Sequence, residues 1–245
     1  MTKTLFTIAA VAAVIAPAFA TDLWDQQAGT TNGDAGFVNQ VFSDFPTDSV
    51  YEMGEVNNSQ AWTINSVSII VESTNAATPS ITSAVLNIFD DGTSNPAGGG
   101  SGDDPTTGQT VAVSTVLDTA LGTNANGYTF YMITASGLNI SMAAGSHWVG
   151  LTPNTSFSAQ GEPFFTVNSL NSAGATFADN SRNPGGAFGF PSGTNWGDAG
   201  TNVAIDQNAA YGSIDLVGTI QSVPAPSAMA FLGLGIGALL IRRRK

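Results

Sequence analysis

The chain has 245 residues, 28 glycines, no cysteine and only 10% charged residues, with 18 acidic side chains against six basic ones. The absence of cysteine excludes disulfides, thiolate nucleophiles and cysteine-ligated metals. All 18 acids lie between Asp22 and Asp215, where Arg182 is the one cation, so this stretch has a formal net charge of −17 and repels nucleic acid.

Residues 1–20 have the features of a secretory signal peptide. Lys3 precedes an apolar stretch from Leu5 to Ile15, and Ala18-Phe19-Ala20 is a small-x-small cleavage site. The apolar stretch is too short for a permanent membrane helix. We therefore predict a signal helix that the export machinery removes, with Thr21 as the first residue of the mature chain.

Residues 21–222 are predicted to form a single all-β domain. Short apolar segments separated by turn residues recur about every 8 to 12 residues, which is typical of a β-sandwich or jelly roll. Leu23 to Val56 is expected to wrap an edge of the domain through apolar anchors that include Phe45. The predicted strands are Trp62–Val71, Ile81–Phe89, Gln109–Leu117, Gly127–Ile133, Leu138–Met142, His147–Pro153, Pro163–Val167, one near Phe177, and Ala210–Ile220.

The strand Trp62–Val71 changes the phase of its apolar alternation. Trp62 and Ile64 fall on one phase, whereas Val67 and Val71 fall on the other. Such a change inside one strand predicts a β-bulge. The next strand, Ile81–Phe89, is partly apolar on both phases, which indicates a strand buried on both faces.

Four aspartates bracket the long loop of glycine and proline that follows this second strand. They are Asp90, Asp91, Asp103 and Asp104. Hard oxygen ligands on a loop suit Ca²⁺, which is the one cofactor that the sequence suggests. The spacing matches no EF-hand or nonapeptide-repeat pattern, so a solvated connector is the alternative.

Aromatic residues and the single histidine are the other candidates for a site. Trp196 and, after it, Trp24 are candidates for exposed rings that stack on sugars, and the alternative is that they fold back onto the domain. Trp62 and Trp148 lie in strand patterns and are expected in the core. His147 has no nucleophile motif nearby, so no catalytic residue is assigned. A glycosidase would need two carboxylates that face each other across a cleft, and the sequence does not show which two acids would do so.

The last 23 residues, 223–245, have three parts. The first part is proline-rich: Val223, Pro224, Ala225, Pro226 and Ser227. The second is an apolar run, Ala228 to Ile241, that includes Phe231, Leu232, Leu234, Ile236, Leu239, Leu240 and Ile241. The third is a basic stop: Arg242, Arg243, Arg244 and Lys245.

The apolar run predicts a short helix with a transient membrane role. Its 14 residues reach roughly 21 Å as a helix, against a hydrocarbon core of about 30 Å. The basic stop favours the cytoplasmic side of the membrane, so the rest of the chain is expected outside. A plain anchor, with Gly233 and Gly237 on a helix-pairing face, is the alternative.

The three parts together resemble the PEP-CTERM protein-sorting domain of Gram-negative bacteria, over residues 223–245 only. The chain departs from the family pattern at Ala225, where the family usually has glutamate. The resemblance implies a membrane-embedded, cysteine-dependent exosortase as the processing partner. It also implies that the protein is held transiently in the inner membrane and then moves to the cell surface or the extracellular matrix.

Segments ahead of this tail carry a second resemblance. They are LWDQ, WTINSVSIIV, LNIFDDG, AAGSHWVGLTP and AYGSIDLVGTI. They resemble the β-sandwich ectodomains often found before PEP-CTERM signals, most of which lack an assigned activity. We expect an exported surface or matrix protein with a structural or adhesive role. A carbohydrate-binding module for extracellular polysaccharide is the alternative, and a glycoside hydrolase is a distant one.

Overall fold

The computed structural model describes residues 20–31, 36–74, 80–90, 103–168, 172–175, 180–182, 196–198 and 211–221. Residues 1–19 of the predicted signal peptide, the strand expected near Phe177 and the predicted sorting segment 223–245 lie outside them. The described residues are mostly β-strand with almost no helix, which confirms the all-β class. No helix among them is long and apolar enough to cross a membrane.

The described strands number fourteen, and they are joined by one short helix and one 3₁₀ turn. The first seven are β1 Thr21–Asp25, β2 Gly36–Val38, β3 Val41–Phe42, β4 Tyr51–Asn58, β5 Trp62–Ser73, β6 Ser83–Phe89 and β7 Gln109–Leu117. The others are β8 Thr129–Met142, β9 Gly145–Thr155, β10 Pro163–Asn168, β11 Asn180–Arg182, β12 Gly197–Asp198, β13 Tyr211–Gly212 and β14 Ile214–Ile220. The 3₁₀ turn Pro105–Thr107 precedes β7, and helix α1, Phe157–Gln160, follows β9.

These strands form one hydrogen-bonded network. Its main path runs β1-β14-β5-β8-β7-β6-β9-β4-β11-β12, while β10 pairs with β5, β2 and β13. All described pairs of strands are antiparallel except β3 with β9. Strand β7 changes partner along its length, because its first residues pair with β6 at Gln109–Ala112 and its last with β8 at Val113–Leu117. This strand therefore links the two halves of the path.

The predicted bulge in β5 is confirmed. The register against β8 shifts between Ile64 and Ser66. On the other side of β5, strand β14 shifts register between Val217 and Gly218. A Cβ atom at Gly218 would overlap the backbone oxygen of Thr63, so glycine allows the strands to stay paired at this irregularity.

Three expectations about individual segments are wrong. Tyr51–Asn58 is an eight-residue strand rather than an edge-wrapping segment, because it pairs with β9 on one side and β11 on the other. Thr129–Met142 is one strand rather than two, because Gly137, at φ 71°, is accommodated where the pairing is interrupted. Phe45 is 47% exposed rather than an anchor of the core.

The predicted strand Ala210–Ile220 is also divided, at Ser213. The N–H of Ser213 donates to the carbonyl of Thr166 at 3.0 Å, which continues the pairing of β13 with β10. Its hydroxyl accepts from the N–H of Ile70 and donates to the carbonyl of Ile70, both at 3.1 Å. The chain thus passes from β10 to β5 at this buried serine.

The main core contains side chains from β1, β2, β4, β5, β6, β7, β8, β9, β10 and β14. Large members with almost no exposure include Phe37, Ile64, Ile69, Tyr131, Ile133, Leu151 and Phe165. A second cluster, Tyr51, Met53, Trp148 and Trp196, lies against Phe89. Trp62 and Trp148 are 7% and 0% exposed, which confirms their expected core positions. The second cluster lies at the base of the loop 90–104, which we call the acidic loop.

Candidate functional site

The acidic loop leaves the sheet at Asp90, directly after β6. The Asp90 carboxylate lies 2.8 Å from Nδ1 of His147, and its side chain is 82% exposed. Nε2 of His147 lies 2.8 Å from the carbonyl oxygen of Ala143. Because that oxygen can only accept, Nε2 is the donor in this contact.

His147 is therefore engaged at both ring nitrogens. It is 2% exposed and ties the start of the acidic loop to the turn before β9. A general base must reach the substrate from which it takes a proton. This geometry gives His147 a structural role and offers no ring nitrogen to a bound substrate.

The acidic loop returns to the sheet at Asp103 and Asp104. Asp103 has a positive φ of 41°, and its carbonyl accepts from Nε1 of Trp196 at 2.9 Å and Nη1 of Arg182 at 3.4 Å. Trp196 in turn lies edge-on to Phe89 with ring centroids 6.1 Å apart. Both ends of the acidic loop therefore lie at the same aromatic cluster, because Asp103 bonds to Trp196 and Asp90 directly follows Phe89.

The Asp104 carboxylate caps the 3₁₀ turn. Oδ1 accepts from the N–H and the hydroxyl of Thr106 at 3.0 and 2.9 Å, and Arg182 lies 3.7 Å away. The Thr106 N–H, its hydroxyl and the charge of Arg182 lower the pKa of Asp104, against partial desolvation. This aspartate is therefore held ionised by donors of the protein.

Three of the four proposed calcium ligands can thus be placed. Asp90 lies beside His147 and Asp104 beside Thr106, whereas Asp91 lies outside the described residues. Among the residues that the structure describes, no group of three or more histidine, aspartate or glutamate side chains is arranged to hold a metal ion. Calcium binding at this loop stays a prediction.

A cavity of about 290 Å³ opens beside the loop base. It is lined by Leu86, Asn87, Ile88, Phe89, Thr107, Gly108, Gln109 and Ile140. Asn87 is buried and donates to the carbonyl of Pro105 at 3.2 Å, so it fixes the 3₁₀ turn against β6. The described lining contains no carboxylate, and its polar side chains are those of Asn87, Thr107 and Gln109.

The two tryptophans proposed for sugar stacking are buried. Trp24 is 7% exposed on β1, where it belongs to the main core, and Trp196 is 3% exposed in the second cluster. Of the two interpretations of these tryptophans, the one in which the rings fold back onto the domain is therefore confirmed, and exposed stacking is not. Neither ring presents a face to a sugar in this conformation.

Sequence reasoning missed a buried carboxylate on β5, Glu72, which is 4% exposed. One oxygen accepts from the side-chain amide of Asn124, and the N–H of Gly36 is a second donor. Burial outweighs these donors and raises the pKa of Glu72 to about 7. Because Glu72 directly follows the apolar segment WTINSVSIIV, its place in the sequence suggested a polar residue at the exposed end of a strand.

Two further acids share this behaviour. Burial raises the pKa of Glu162 to about 7. Burial, together with the charges of Asp22 and Asp25, raises the pKa of Asp215 to about 6, although Ser68 donates to it at 3.4 Å. Asp215 lies directly opposite Asp25 across the β1 and β14 pair. Like charges opposed across strands explain part of this shift.

Asp44 is the opposite case and was also missed. Its carboxylate accepts from the N–H groups of Phe157 and Ser158 at 2.9 and 3.1 Å, and from the hydroxyls of Ser156 and Ser158. Although desolvation opposes them, these donors hold the pKa of Asp44 well below its usual range. Asp44 thereby fixes the loop after β3 to helix α1.

Comparison with known proteins gives no relative for this chain: no family model, no curated protein and no solved structure matches it.

Proposed function

We propose that this protein is exported and has a structural or adhesive role on the cell surface or in the extracellular matrix. Its terminal segments serve as a removable signal peptide and a PEP-CTERM-type sorting segment. The export machinery and an exosortase-like enzyme are the processing partners. The resemblance of residues 223–245 to that sorting domain is the basis of the proposal.

The observation that supports it best is where the sheet begins and ends. β1 begins at Thr21, one residue after the proposed cleavage site, and Thr21 lies opposite Gly218 of β14. Gln221 donates its N–H to the carbonyl of Ala61 at 2.8 Å. All described strand pairs therefore lie within residues 21–221, and removal of both proposed signals leaves every one of them intact.

We further propose that the network folds as a sandwich. The switch of β7 from β6 to β8 supports two layers that share this strand. The main core supports the same arrangement, because it joins Ile64 and Ile133 of β5 and β8 to Leu86 and Leu151 of β6 and β9. Packed layers joined through one strand are a common solution for all-β domains.

The two alternatives receive no specific support from the site. Polysaccharide binding was expected to use Trp24 and Trp196, which are both buried. Glycoside hydrolysis needs an acid and a second carboxylate facing each other across a cleft. The raised pKa values of Glu72 and Glu162 arise from burial, and neither residue lines a described cavity.

Intact-mass measurement of protein recovered from the cell surface tests the proposal. We expect a species that begins at Thr21 and ends near Pro224. A matched variant with Arg242, Arg243, Arg244 and Lys245 replaced by glutamine should lose membrane retention and C-terminal processing, because the basic stop holds the segment in place. A surface species that still carries Phe231 to Lys245 would indicate a permanent anchor and contradict the sorting role.

A further inference from the structure

A small aromatic cleft lies between the loop after β3 and helix α1. Its walls are Phe42, Phe45, Phe157 and Asp48, and they enclose about 130 Å³. Phe42 is 1% exposed and lies at the base, whereas Phe45 and Phe157 are 47% and 45% exposed. Large aromatic rings exposed together on one surface indicate a binding site more often than isolated apolar residues do.

The ring of Phe157 is nearly perpendicular to each of the other two. The centroid of Phe157 lies 5.7 Å from that of Phe42 at an interplanar angle of 78°, and 6.1 Å from that of Phe45 at 81°. A corner between perpendicular rings is bounded by ring faces. Each face carries the negative lobe of the ring quadrupole, which attracts a cation placed within about 6 Å of the centroid.

Hydrogen bonds hold these rings in place. The N–H of Asp48 donates to the carbonyl of Phe45 at 2.9 Å and closes a tight turn. The N–H of Ser43 donates to the carbonyl of Thr155 at 2.8 Å, and Asp44 accepts from the N–H of Phe157. A cleft whose walls are already fixed loses little conformational entropy when a ligand binds.

The charge around the cleft also favours a cation. Asp48 contributes a carboxylate to the lining, and residues 21–222 carry 18 acids against one arginine. Such a field raises the local concentration of cations and disfavours anionic ligands. We propose that this cleft binds a quaternary ammonium group.

The lining selects a quaternary head over a primary ammonium. A primary ammonium has three N–H donors, and each needs an acceptor when water is removed. Among the described lining residues, only the Asp48 side chain provides one. A quaternary ammonium has no N–H donor, so ring faces and one carboxylate are sufficient for it.

A second copy of the chain is a poor occupant. Residues 21–222 contain no lysine, and their single arginine, Arg182, is 8% exposed and engaged with Asp103 and Asp104. The one arginine of this stretch is thus already engaged, and the occupant that we propose is another molecule.

Ligand-observed NMR titration of the full-length protein tests this assignment. The probes are choline, its uncharged isostere 3,3-dimethyl-1-butanol, lysine methyl ester and methyl glucoside. We expect choline to bind at least about five-fold more tightly than each of the others, because only choline combines charge with the absence of N–H donors. Equal binding of the isostere would reduce the site to an apolar cleft and overturn the proposal. Tighter binding of the lysine ester or the glucoside would overturn it as well.

Variants locate the site. Phe157→Ala should weaken choline binding by about ten-fold, and Asp48→Asn by about three-fold with the rings left intact. Val116→Ala, at a 61% exposed apolar position outside the cleft lining, is the matched control and should bind as wild type. If Phe157→Ala fails to fold, Asp48→Asn still tests whether choline binds in this cleft. Unchanged binding in Asp48→Asn, with an unchanged preference over the isostere, would remove the cleft from consideration.

Discussion

The carboxylates of Asp44 and Glu72 differ in how the protein accommodates a negative charge. Asp44 lies on an exposed loop and accepts four hydrogen bonds from residues 156–158, which lower its pKa. Glu72 lies inside the sheet with two donors, Asn124 and Gly36, and burial raises its pKa to about 7. The first is therefore ionised over the whole physiological range, whereas the second is half protonated near neutrality.

The comparison shows what replaces salt bridges in this domain. Residues 21–222 contain a single Lys or Arg side chain, Arg182, so 17 of the 18 acids must be stabilised in another way or remain in water. At Asp44, backbone N–H groups and hydroxyls take the place of a counterion. At Glu72, the same kind of donors are too few to offset desolvation. Local donor number, rather than ion pairing, decides the charge state.

The largest expected effect is a rise in stability on mild acidification. The pKa values of Glu72 and Glu162 are raised from 4.5 to about 7, and that of Asp215 from 3.8 to about 6. At a pH between the ordinary pKa and the raised pKa of such a group, the folded protein holds a proton that the unfolded chain has released. Stability therefore falls as the pH rises through this range. Lowering the pH from 8 to 5 should raise the free energy of unfolding by about 2–4 kcal/mol, with the partly exposed Glu162 and Asp215 discounted.

Thermal unfolding followed by circular dichroism measures this rise. The melting temperature should increase by roughly 5–15 °C between pH 8 and pH 5. Glu72→Gln is the control, because an amide does not titrate and the slope of stability against pH should flatten between pH 5 and 7. A melting temperature that falls on acidification would show that stabilised ionised carboxylates, of the Asp44 kind, dominate the domain.

Strand positions could be predicted because they depend on local alternation. Gln109–Leu117 has the predicted bounds, and the phase change in Trp62–Val71 located the bulge. β4 was missed because its polar residues Glu52 and Glu55 are buried at 0% and 3% exposure, so its pattern does not alternate as a half-buried strand does.

The site could not be predicted in the same way, because its contacts join distant parts of the chain. Asp44 meets the α1 residues more than 110 positions later, and Asp103 meets Trp196 after 93 positions. A tryptophan between glycines looks exposed in sequence, yet its N–H finds an acceptor only when the loop folds back. Exposure of Phe45 likewise depends on the turn that the N–H of Asp48 closes.

The second expected effect is smaller and concerns Asp44, the carboxylate that several hydrogen-bond donors stabilise. Asp44→Asn keeps one oxygen and loses the charge that the donors of Ser156, Phe157 and Ser158 stabilise. Asp44 has a lowered pKa, so its contribution is complete above its ordinary pKa of 3.8 and is lost as the pH falls below it. The variant should melt about 2–4 °C lower at pH 7.

The pH dependence of that difference is the sharper measurement. The gap between wild type and Asp44→Asn should begin to narrow below pH 3.8, where the unfolded wild-type chain takes up a proton at Asp44 that the folded protein still excludes. Ser158→Ala, which removes only one hydroxyl donor, should give a smaller loss at pH 7. A gap that stays constant down to pH 2 would mean that the charge of Asp44 contributes nothing to its role as a cap.

The smallest expected effect is at Asp90, whose carboxylate has a buried partner but is itself mostly in water. Asp90→Asn retains an amide that can hydrogen-bond to Nδ1 of His147, and a side chain that is 82% exposed contributes little through its charge, so the free energy of unfolding should fall by less than about 0.5 kcal/mol. His147→Phe should cost more, about 1–3 kcal/mol, because the carbonyl of Ala143 then loses its N–H donor. Denaturant unfolding at pH 7 compares the two variants. Equal losses would place the stabilisation in the Asp90 charge itself, and ion pairing would then matter even in a domain whose only Lys or Arg is Arg182.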